Sequence, residues 1–127
     1  MGQMVKASRI LLVEDEVLIS DMVAAVLADH GFEVHAVGDA GGALRHLIGG
    51  APCDVLFTDI NLPGGVDGAA LARLARALRP ELAVVYASGS IGGLHELSAV
   101  ANSTFVPKPY DPARVCALLE KLPATAH

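Results

Sequence analysis

Five short apolar runs, separated by longer segments with helical spacing, constrain the fold of this 127-residue chain more than any other feature. The runs are rich in β-branched residues and too short for helices, so they predict strands. They cover Ile10–Val13, Phe32–Val37, Val55–Thr58, Leu82–Ala87 and Thr104–Val106. The helical spacing covers Val17–Asp29, Ala40–Ile48, Ala69–Leu78, Leu94–Ala101 and Ala113–Leu122. This (βα)₅ alternation predicts an α/β fold in which helices cover both faces of a parallel sheet.

Residues with helix-terminal preferences support these boundaries. Asp39, Asp67 and Asp111 stand where N-caps are expected, and Pro112 suits a first helical position. Gly31 follows the first helix, where a glycine commonly ends a helix. The chain is therefore expected to change from strand to helix at defined points.

Rows of long apolar residues predict which helix faces pack against the sheet. The first helix carries Leu18, Met22 and Val26 at helical spacing, and we expect this row to be core. Similar spacing occurs in two later helices, at Leu71, Leu74 and Leu78, and at Val115, Leu118 and Leu119. None of these rows requires a cofactor to explain it.

Composition excludes several classes of function. The hydrophobic content of 53% is enough for one buried core, and the net charge of −5 disfavours direct binding of nucleic acid or anionic lipid. Cys53 and Cys116 have no disulfide or metal-binding pattern, so reduced thiols in a cytoplasmic protein are expected. No signal peptide or membrane span is evident.

The expected domain organisation is simple. We predict a flexible N-terminal segment over residues 1–8, one domain over 9–122 and a short tail over 123–127. A stand-alone domain without an output module is the expectation.

Polar residues follow four of the predicted strands, at the sheet edge where ligands bind in such folds. Glu14 and Asp15 follow the first strand and Asp59 the third, while Ser88 ends the fourth and Lys108 follows the fifth. Converging carboxylates repel one another unless a cation joins them, and oxygen ligands of this kind suit Mg²⁺. The sequence therefore predicts a magnesium site.

An aspartate beside Mg²⁺ can act as a nucleophile toward a phosphoryl donor. Asp59 suits that role, Lys108 can neutralise the transferring oxygens, and the hydroxyl of Ser88 can hydrogen-bond the captured group. Asn61 is expected to offer its backbone carbonyl to the metal. Each residue alone also fits a loop charge, a turn hydroxyl or a surface lysine, and only their joint order favours the functional interpretation.

At this point the sequence resembles the response regulator receiver family over Arg9–Leu122. The resemblance is carried by the acidic pair Glu14-Asp15, by Asp59 within Thr-Asp-Ile-Asn-Leu-Pro-Gly-Gly-Val-Asp-Gly, by Ser88 and by Lys108-Pro109. It implies a flavodoxin-like doubly wound fold with strand order 2-1-3-4-5. It also implies that Asp59 is the phosphoacceptor and that Phe105 is a switch aromatic, although Phe105 also fits a plain core position.

The resemblance further implies function and partners. A histidine kinase or a phosphotransfer protein would phosphorylate Asp59, and partner binding would change on the face formed by the fourth helix, the fifth strand and the fifth helix. Such a chain is a signalling switch that assists its own phosphorylation and dephosphorylation, rather than an enzyme. The acidic charge and the lack of a membrane span lead us to expect no nucleic-acid or membrane partner.

This sequence departs from the family pattern in several places. Glu14 replaces the more usual aspartate, which predicts a water-mediated contact to Mg²⁺ or an altered metal affinity. Gly64-Gly65 lengthens the loop after Asp59. The end of the fourth strand, Tyr86-Ala87-Ser88-Gly89, resembles the Phe-Ala-Thr-Gly-like motif of an alphaproteobacterial subgroup.

The segment after Ser88 is rich in residues that weaken helices, including Gly89, Gly92 and Gly93. We therefore expect a pliable fourth helix, whose packing shifts when Ser88 and Lys108 capture a phosphoryl group.

Other interpretations stay open at this stage. The chain could be a receiver-like module that is not phosphorylated, or a domain cut from a larger hybrid kinase or regulator. A small hydrolase or a flavin protein of the same architecture is a further alternative. It fits less well, because Glu14-Asp15-Glu16 would repel a phosphate without a metal.

Overall fold

The computed structural model describes residues 7–62, 66–89, 99–108 and 111–123. Within these ranges lie five strands and four helices. The strands are β1 (Arg9–Val13), β2 (Glu33–Val37), β3 (Val55–Asp59), β4 (Ala83–Ser88) and β5 (Ser103–Pro107). The helices are α1 (Val17–Asp29), α2 (Ala40–Ile48), α3 (Gly68–Leu78) and α4 (Pro112–Leu119). The strands form one parallel sheet in the order β2-β1-β3-β4-β5, which confirms the predicted fold class.

Two predicted helices need correction. Most of the predicted fourth helix lies outside the described residues, but its last part, 99–101, is not helical. Asn102 there has a φ of 58°, a left-handed conformation that ends helical geometry. The helix that begins at Pro112 is α4, and it ends at Leu119 instead of Leu122. Pro123 disfavours helical geometry in Leu122, the predicted last residue, and the helix ends three residues before it.

The predicted caps are confirmed. Three aspartate side chains accept a hydrogen bond from a backbone N–H in the first turn: Asp39 from Gly42 at 2.8 Å, Asp67 from Ala70 at 2.8 Å and Asp111 from Ala113 at 3.0 Å. Gly31 has a φ of 92° just after α1. These bonds satisfy donors that the helical ladder leaves unpaired.

The core consists of two layers, one on each face of the sheet, because successive strand residues point to opposite faces. One layer packs strand residues against α2 and α3, and its largest members include Leu11, Leu56, Leu71, Val84 and Tyr86. The other packs strand residues against α1 and α4, and includes Ile10, Leu12, Leu27, Phe57 and Leu119. The sheet is therefore covered on both faces, as its apolar strands predict.

The predicted core row of α1 was wrong for Leu18 and Met22, whereas Val26 is partly buried against the core layer of that face. Leu18 is 85% exposed and Met22 is 50% exposed, whereas Ser20, Val23 and Leu27 are buried. Spacing alone did not identify the buried face, because α1 has two rows of apolar residues, one with Leu18 and Met22 and another with Val23 and Leu27.

The helix α3 shows the same effect. Its small residues face the sheet, so Ala72 and Ala75 are buried beside Leu71, while Leu74 and Leu78 remain about half exposed.

The amino-terminal ends of β1 and β3 are joined by a buried carboxylate. Asp54 is fully buried and accepts hydrogen bonds from the backbone N–H groups of Ser8 at 2.9 Å and Arg9 at 3.0 Å. The Arg9 guanidinium completes the contact at 3.1 Å. A buried charge with this many donors is well compensated.

Among the described helices, none has both the length and the apolar character needed to cross a bilayer.

Candidate functional site

The carboxyl ends of the strands bring the predicted site residues together. Glu14 follows β1, Asp59 ends β3, Ser88 ends β4 and Lys108 follows β5. The register pairs Asp59 with Ala87 and Ser88 with the last residue of β5, so these strand ends are neighbours. The site therefore lies where parallel sheets usually bind ligands.

Three carboxylates form a compact acidic cluster. Ligand oxygens of Glu14, Asp15 and Asp59 all lie within 4.8 Å of one another. Glu14 and Asp59 are buried, whereas Asp15 is exposed. Hard oxygen donors at this spacing, open to water on one side, fit a divalent cation such as Mg²⁺.

Lys108 lies among these carboxylates. Its Nζ is 2.6 Å from Oδ2 of Asp59 and 3.5 Å from Oε1 of Glu14. The ammonium group thus neutralises part of the acidic charge and places a cation directly beside the Asp59 carboxylate.

Burial and charge shift the acid–base properties of this cluster. Burial raises the pKa of Glu14, and the Glu16 N–H and the charge of Lys108 oppose that effect. A side-chain hydrogen bond with Asp15 and the negative charge of Asp59 add to it. Burial alone would lower the pKa of Lys108, but the hydrogen bond and charge of Asp59, together with Glu14, raise it overall. Lys108 therefore stays protonated at neutral pH.

Both oxygens of the Asp59 carboxylate have donors. Oδ1 accepts the backbone N–H of Asn61 at 3.1 Å, while Oδ2 accepts from Lys108. Asn61 is exposed, and its predicted metal-binding carbonyl role stays a prediction. The Gly64-Gly65 part of the loop lies outside the described residues.

Glu14 is held by its own backbone surroundings. Its Oε2 accepts the N–H of Glu16 at 3.2 Å, and its backbone N–H donates to Val37 at 3.1 Å. Glu16 is the N-cap residue of α1, which begins at Val17, and its side chain makes no capping hydrogen bond.

Ser88 is buried at the end of β4, and its backbone carbonyl accepts the N–H of Lys108 at 2.8 Å. This bond fixes the two residues relative to each other. Phe105 is partly buried on β5, and its ring centroid lies 5.0 Å from that of Tyr86 on β4. The switch roles of Ser88 and Phe105 stay predictions.

Gly68 is a positioning residue that the sequence analysis missed. It begins α3 and donates its N–H to the carbonyl of Ile60 at 2.8 Å. A Cβ at this position would lie 2.2 Å from the carbonyl oxygen of Asp59 and 2.7 Å from Cα of Ile60. Only glycine allows α3 to approach the backbone of the candidate phosphoacceptor this closely. A glycine at a first helical position, against helix preference, was the available signal.

Comparisons with known proteins agree with this geometry. The family model of the response regulator receiver domain matches residues 10–120. The nitrogen assimilation regulatory protein NtrX of Azorhizobium caulinodans is 33% identical over 118 residues, which cover 91% of this chain and 26% of that protein. The chain spans half or less of the length of the curated relatives it matches.

Solved structures give the same assignment. A response regulator receiver protein from Sinorhizobium medicae is 33% identical and superposes with a TM-score of 0.83, covering 89% of this chain and 91% of that one. NtrX from Brucella abortus is 36% identical with a TM-score of 0.80, covering 91% of this chain and 26% of that one. Since the family model spans most of the sequence, the chain belongs to the response regulator receiver domain family of two-component systems.

Proposed function

We propose that this receiver accepts a phosphoryl group on Asp59 and thereby changes which protein surface it presents. The observation that carries the proposal is the setting of the Asp59 carboxylate, buried at a strand end, 2.6 Å from the Lys108 ammonium and within the acidic cluster. The donor would be a histidine kinase or a phosphotransfer protein, with which receiver domains generally interact. A cytoplasmic location follows from that role.

The transfer forms one bond and breaks one bond. A carboxylate oxygen of Asp59 attacks the phosphorus, and the bond between phosphorus and the donor breaks, leaving its electron pair on the donor nitrogen or oxygen. The product is an acyl phosphate. Lys108, already paired with Asp59, then pairs with an oxygen of the transferred group.

The carboxylates of Glu14, Asp15 and Asp59 and the carbonyl of Asn61 would hold Mg²⁺. When bound, the ion supplies positive charge that stabilises the transferring phosphoryl oxygens. The buried position of Glu14 fixes one wall of this pocket, and the exposed Asp15 leaves the other side open to solvent.

Once Asp59 is phosphorylated, the Ser88 hydroxyl donates a hydrogen bond to a phosphoryl oxygen. The Ser88 carbonyl also accepts a hydrogen bond from the backbone of Lys108. The carboxyl end of β4 and the carboxyl end of β5 therefore respond together to the phosphoryl group. The output is then a change on the face formed by the predicted fourth helix, β5 and α4. The chain assists its own phosphorylation and dephosphorylation and turns over no separate substrate.

The test is labelling with a small acyl phosphate, read by intact mass, with Mg²⁺ and with excess chelator. We expect one phosphoryl group on the natural chain in the presence of Mg²⁺ and none on Asp59→Asn. Labelling of Asp59→Asn would contradict the assignment of the nucleophile. If the natural chain itself gains no phosphoryl group, the alternative of a receiver-like module that binds partners without phosphorylation replaces the proposal.

A further inference from the structure

Tyr86 occupies a position in β4 that the proposed chemistry does not use. Its side chain is fully buried although it carries a hydroxyl group. It lies two residues before Ser88 on the same strand, so the two side chains point to the same face of the sheet. A buried hydroxyl needs a hydrogen-bond partner, and the identity of that partner shows what the residue does.

The partner lies in the segment that leads into β5. The hydroxyl oxygen of Tyr86 accepts the backbone N–H of Val100 at 3.1 Å. Val100 is partly buried against the core layer that contains Tyr86. This bond joins the middle of β4 to the chain just before β5, across a separation of 14 residues.

The same ring supports β5 itself. Tyr86 is paired in register with Phe105, and the two ring centroids are 5.0 Å apart with planes inclined by 31°. Such tilted aromatic contacts are favourable. Tyr86 therefore contacts the segment from Val100 to Phe105 at both of its ends.

A second hydrogen bond lies within that segment and does not involve β4. The hydroxyl of Ser103 donates to the carbonyl of Val100 at 2.7 Å, within the same turn. That bond can move with the segment as a unit. The bond from Val100 to Tyr86 must break if the segment and β4 separate, so it distinguishes one packing from another.

We propose that the Tyr86 hydroxyl is a clamp that holds the segment from Val100 to Phe105 against β4 in the unphosphorylated chain. The link to phosphorylation rests on the proposed function, because Ser88 and Tyr86 share one strand. Capture of a phosphoryl group at Ser88 favours a packing in which this clamp is released. Tyr86 thus sets how readily the domain changes its packing when a phosphoryl group binds at Ser88.

The test uses the full chain and its Tyr86→Phe variant, which keeps the ring and loses the hydroxyl. In the metal-free chain we expect hydrogen exchange of the Val100 amide to rise about tenfold, since its hydrogen bond is lost. Amides of Leu12 and Leu56, in the central strands, should exchange as before. With Mg²⁺ present, half-saturation by beryllofluoride should need about three- to tenfold less of this phosphoryl mimic.

Ser103→Ala is the matched control, because it also removes one hydrogen bond from Val100 but leaves Tyr86 intact. We expect it to leave half-saturation by beryllofluoride unchanged. Unchanged Val100 exchange in Tyr86→Phe, an unchanged beryllofluoride response, or an equal response in Ser103→Ala would each overturn the clamp. A natural chain that does not bind beryllofluoride would instead overturn the proposed function and the link to it, while Val100 exchange still decides whether the clamp exists.

Discussion

Lys108 determines the net charge of the acidic cluster. Three carboxylates carry −3 and one ammonium carries +1, which leaves −2 when all four groups are ionised. A divalent cation neutralises this remainder, so the side chains match the charge of Mg²⁺ as well as its preference for oxygen. In the metal-free chain the pKa of Glu14 is raised, chiefly because burial disfavours its ionised form, and the charge of Asp59 acts in the same direction.

Gly68→Ala should harm both stability and phosphorylation. The added Cβ would meet the backbone of Asp59 and Ile60, neither of which is a flexible side-chain end. Forcing α3 away from β3 should lower the free energy of unfolding by about 1–3 kcal/mol, as overpacking does. It should also slow labelling of Asp59 by a small acyl phosphate. Urea unfolding and a labelling time course measure the two effects.

Gly38→Ala is the matched control, because nothing lies within 4 Å of a Cβ at that position. Its unfolding free energy should stay within about 0.5 kcal/mol of the natural chain. If Gly68→Ala proves as mild as Gly38→Ala, the close approach of α3 to Asp59 is not required.

The thiol of Cys53 should be unreactive while the chain is folded. Burial raises its pKa from 9.0 to about 11. Alkylation by iodoacetamide at pH 8 should therefore be fast in urea and very slow in buffer, because the thiolate is the reactive form. Equal rates in the two conditions would contradict the burial of this side chain.

The same shift sets the sign of a pH effect. A folded-state pKa above the unfolded value contributes stability below pH 9.0, and this contribution is lost as pH rises toward about 11. Urea unfolding of the natural chain and of Cys53→Ala measures this effect. The unfolding free energy of the natural chain should fall relative to that of Cys53→Ala as pH rises from 9.0 toward about 11.

At the scale of elements, α1 begins with two exposed apolar side chains. Val17 is 69% exposed and Leu18 is 85% exposed, two and three residues after the predicted metal ligand Asp15 in the sequence. Exposed apolar residues that follow a candidate site so closely in sequence suit contact with a protein donor. The sequence analysis assigned Leu18 to the core, so its exposure is information that came from the structure alone.

Leu18→Ala should separate two kinds of phosphoryl donor, if the proposed function holds. Because Leu18 contributes little to the core, the unfolding free energy of the variant should differ from that of the natural chain by no more than about 0.5 kcal/mol. Labelling by a small acyl phosphate should be unchanged. Transfer from a phosphorylated phosphotransfer protein that labels the natural chain should slow about tenfold.

Leu27→Ala is the contrasting variant on the same helix. Leu27 is fully buried, so its truncation should cost about 2–5 kcal/mol in stability. If Leu18→Ala slows both donors equally, the exposed row does not act as a docking surface.

The elements themselves were largely predictable from the sequence. Strand and helix order, the exact bounds of α1 and α2, and the aspartate caps depend on local chemistry, which neighbouring residues carry. The outward face of α1 was not predictable, because two apolar rows compete and only packing on the sheet selects one. The role of Gly68 was hidden for a similar reason, since it depends on a contact with a different strand.

For the whole molecule, the site was predictable to the extent that a parallel sheet gathers its strand ends on one edge. That rule placed Glu14, Asp59 and Lys108 together before any distance was known. It did not predict that Lys108 would lie 2.6 Å from Asp59, nor that Tyr86 would reach Val100. Those contacts depend on side-chain geometry, which periodicity does not encode.

The two ends of the described chain meet on the side of the sheet away from the candidate phosphoacceptor Asp59. The N–H of Ala7 donates to the carbonyl of Leu122 at 2.8 Å, at the edge where β1 begins. Five strand residues separate that edge from the acidic cluster, a span of about 17 Å. A fluorophore or surface tether attached at either end would therefore leave the reacting carboxylate accessible. By the same distance, a neighbour packed against that edge would not touch Asp59, and a phosphoryl group there would reach it through the intervening strands and helices.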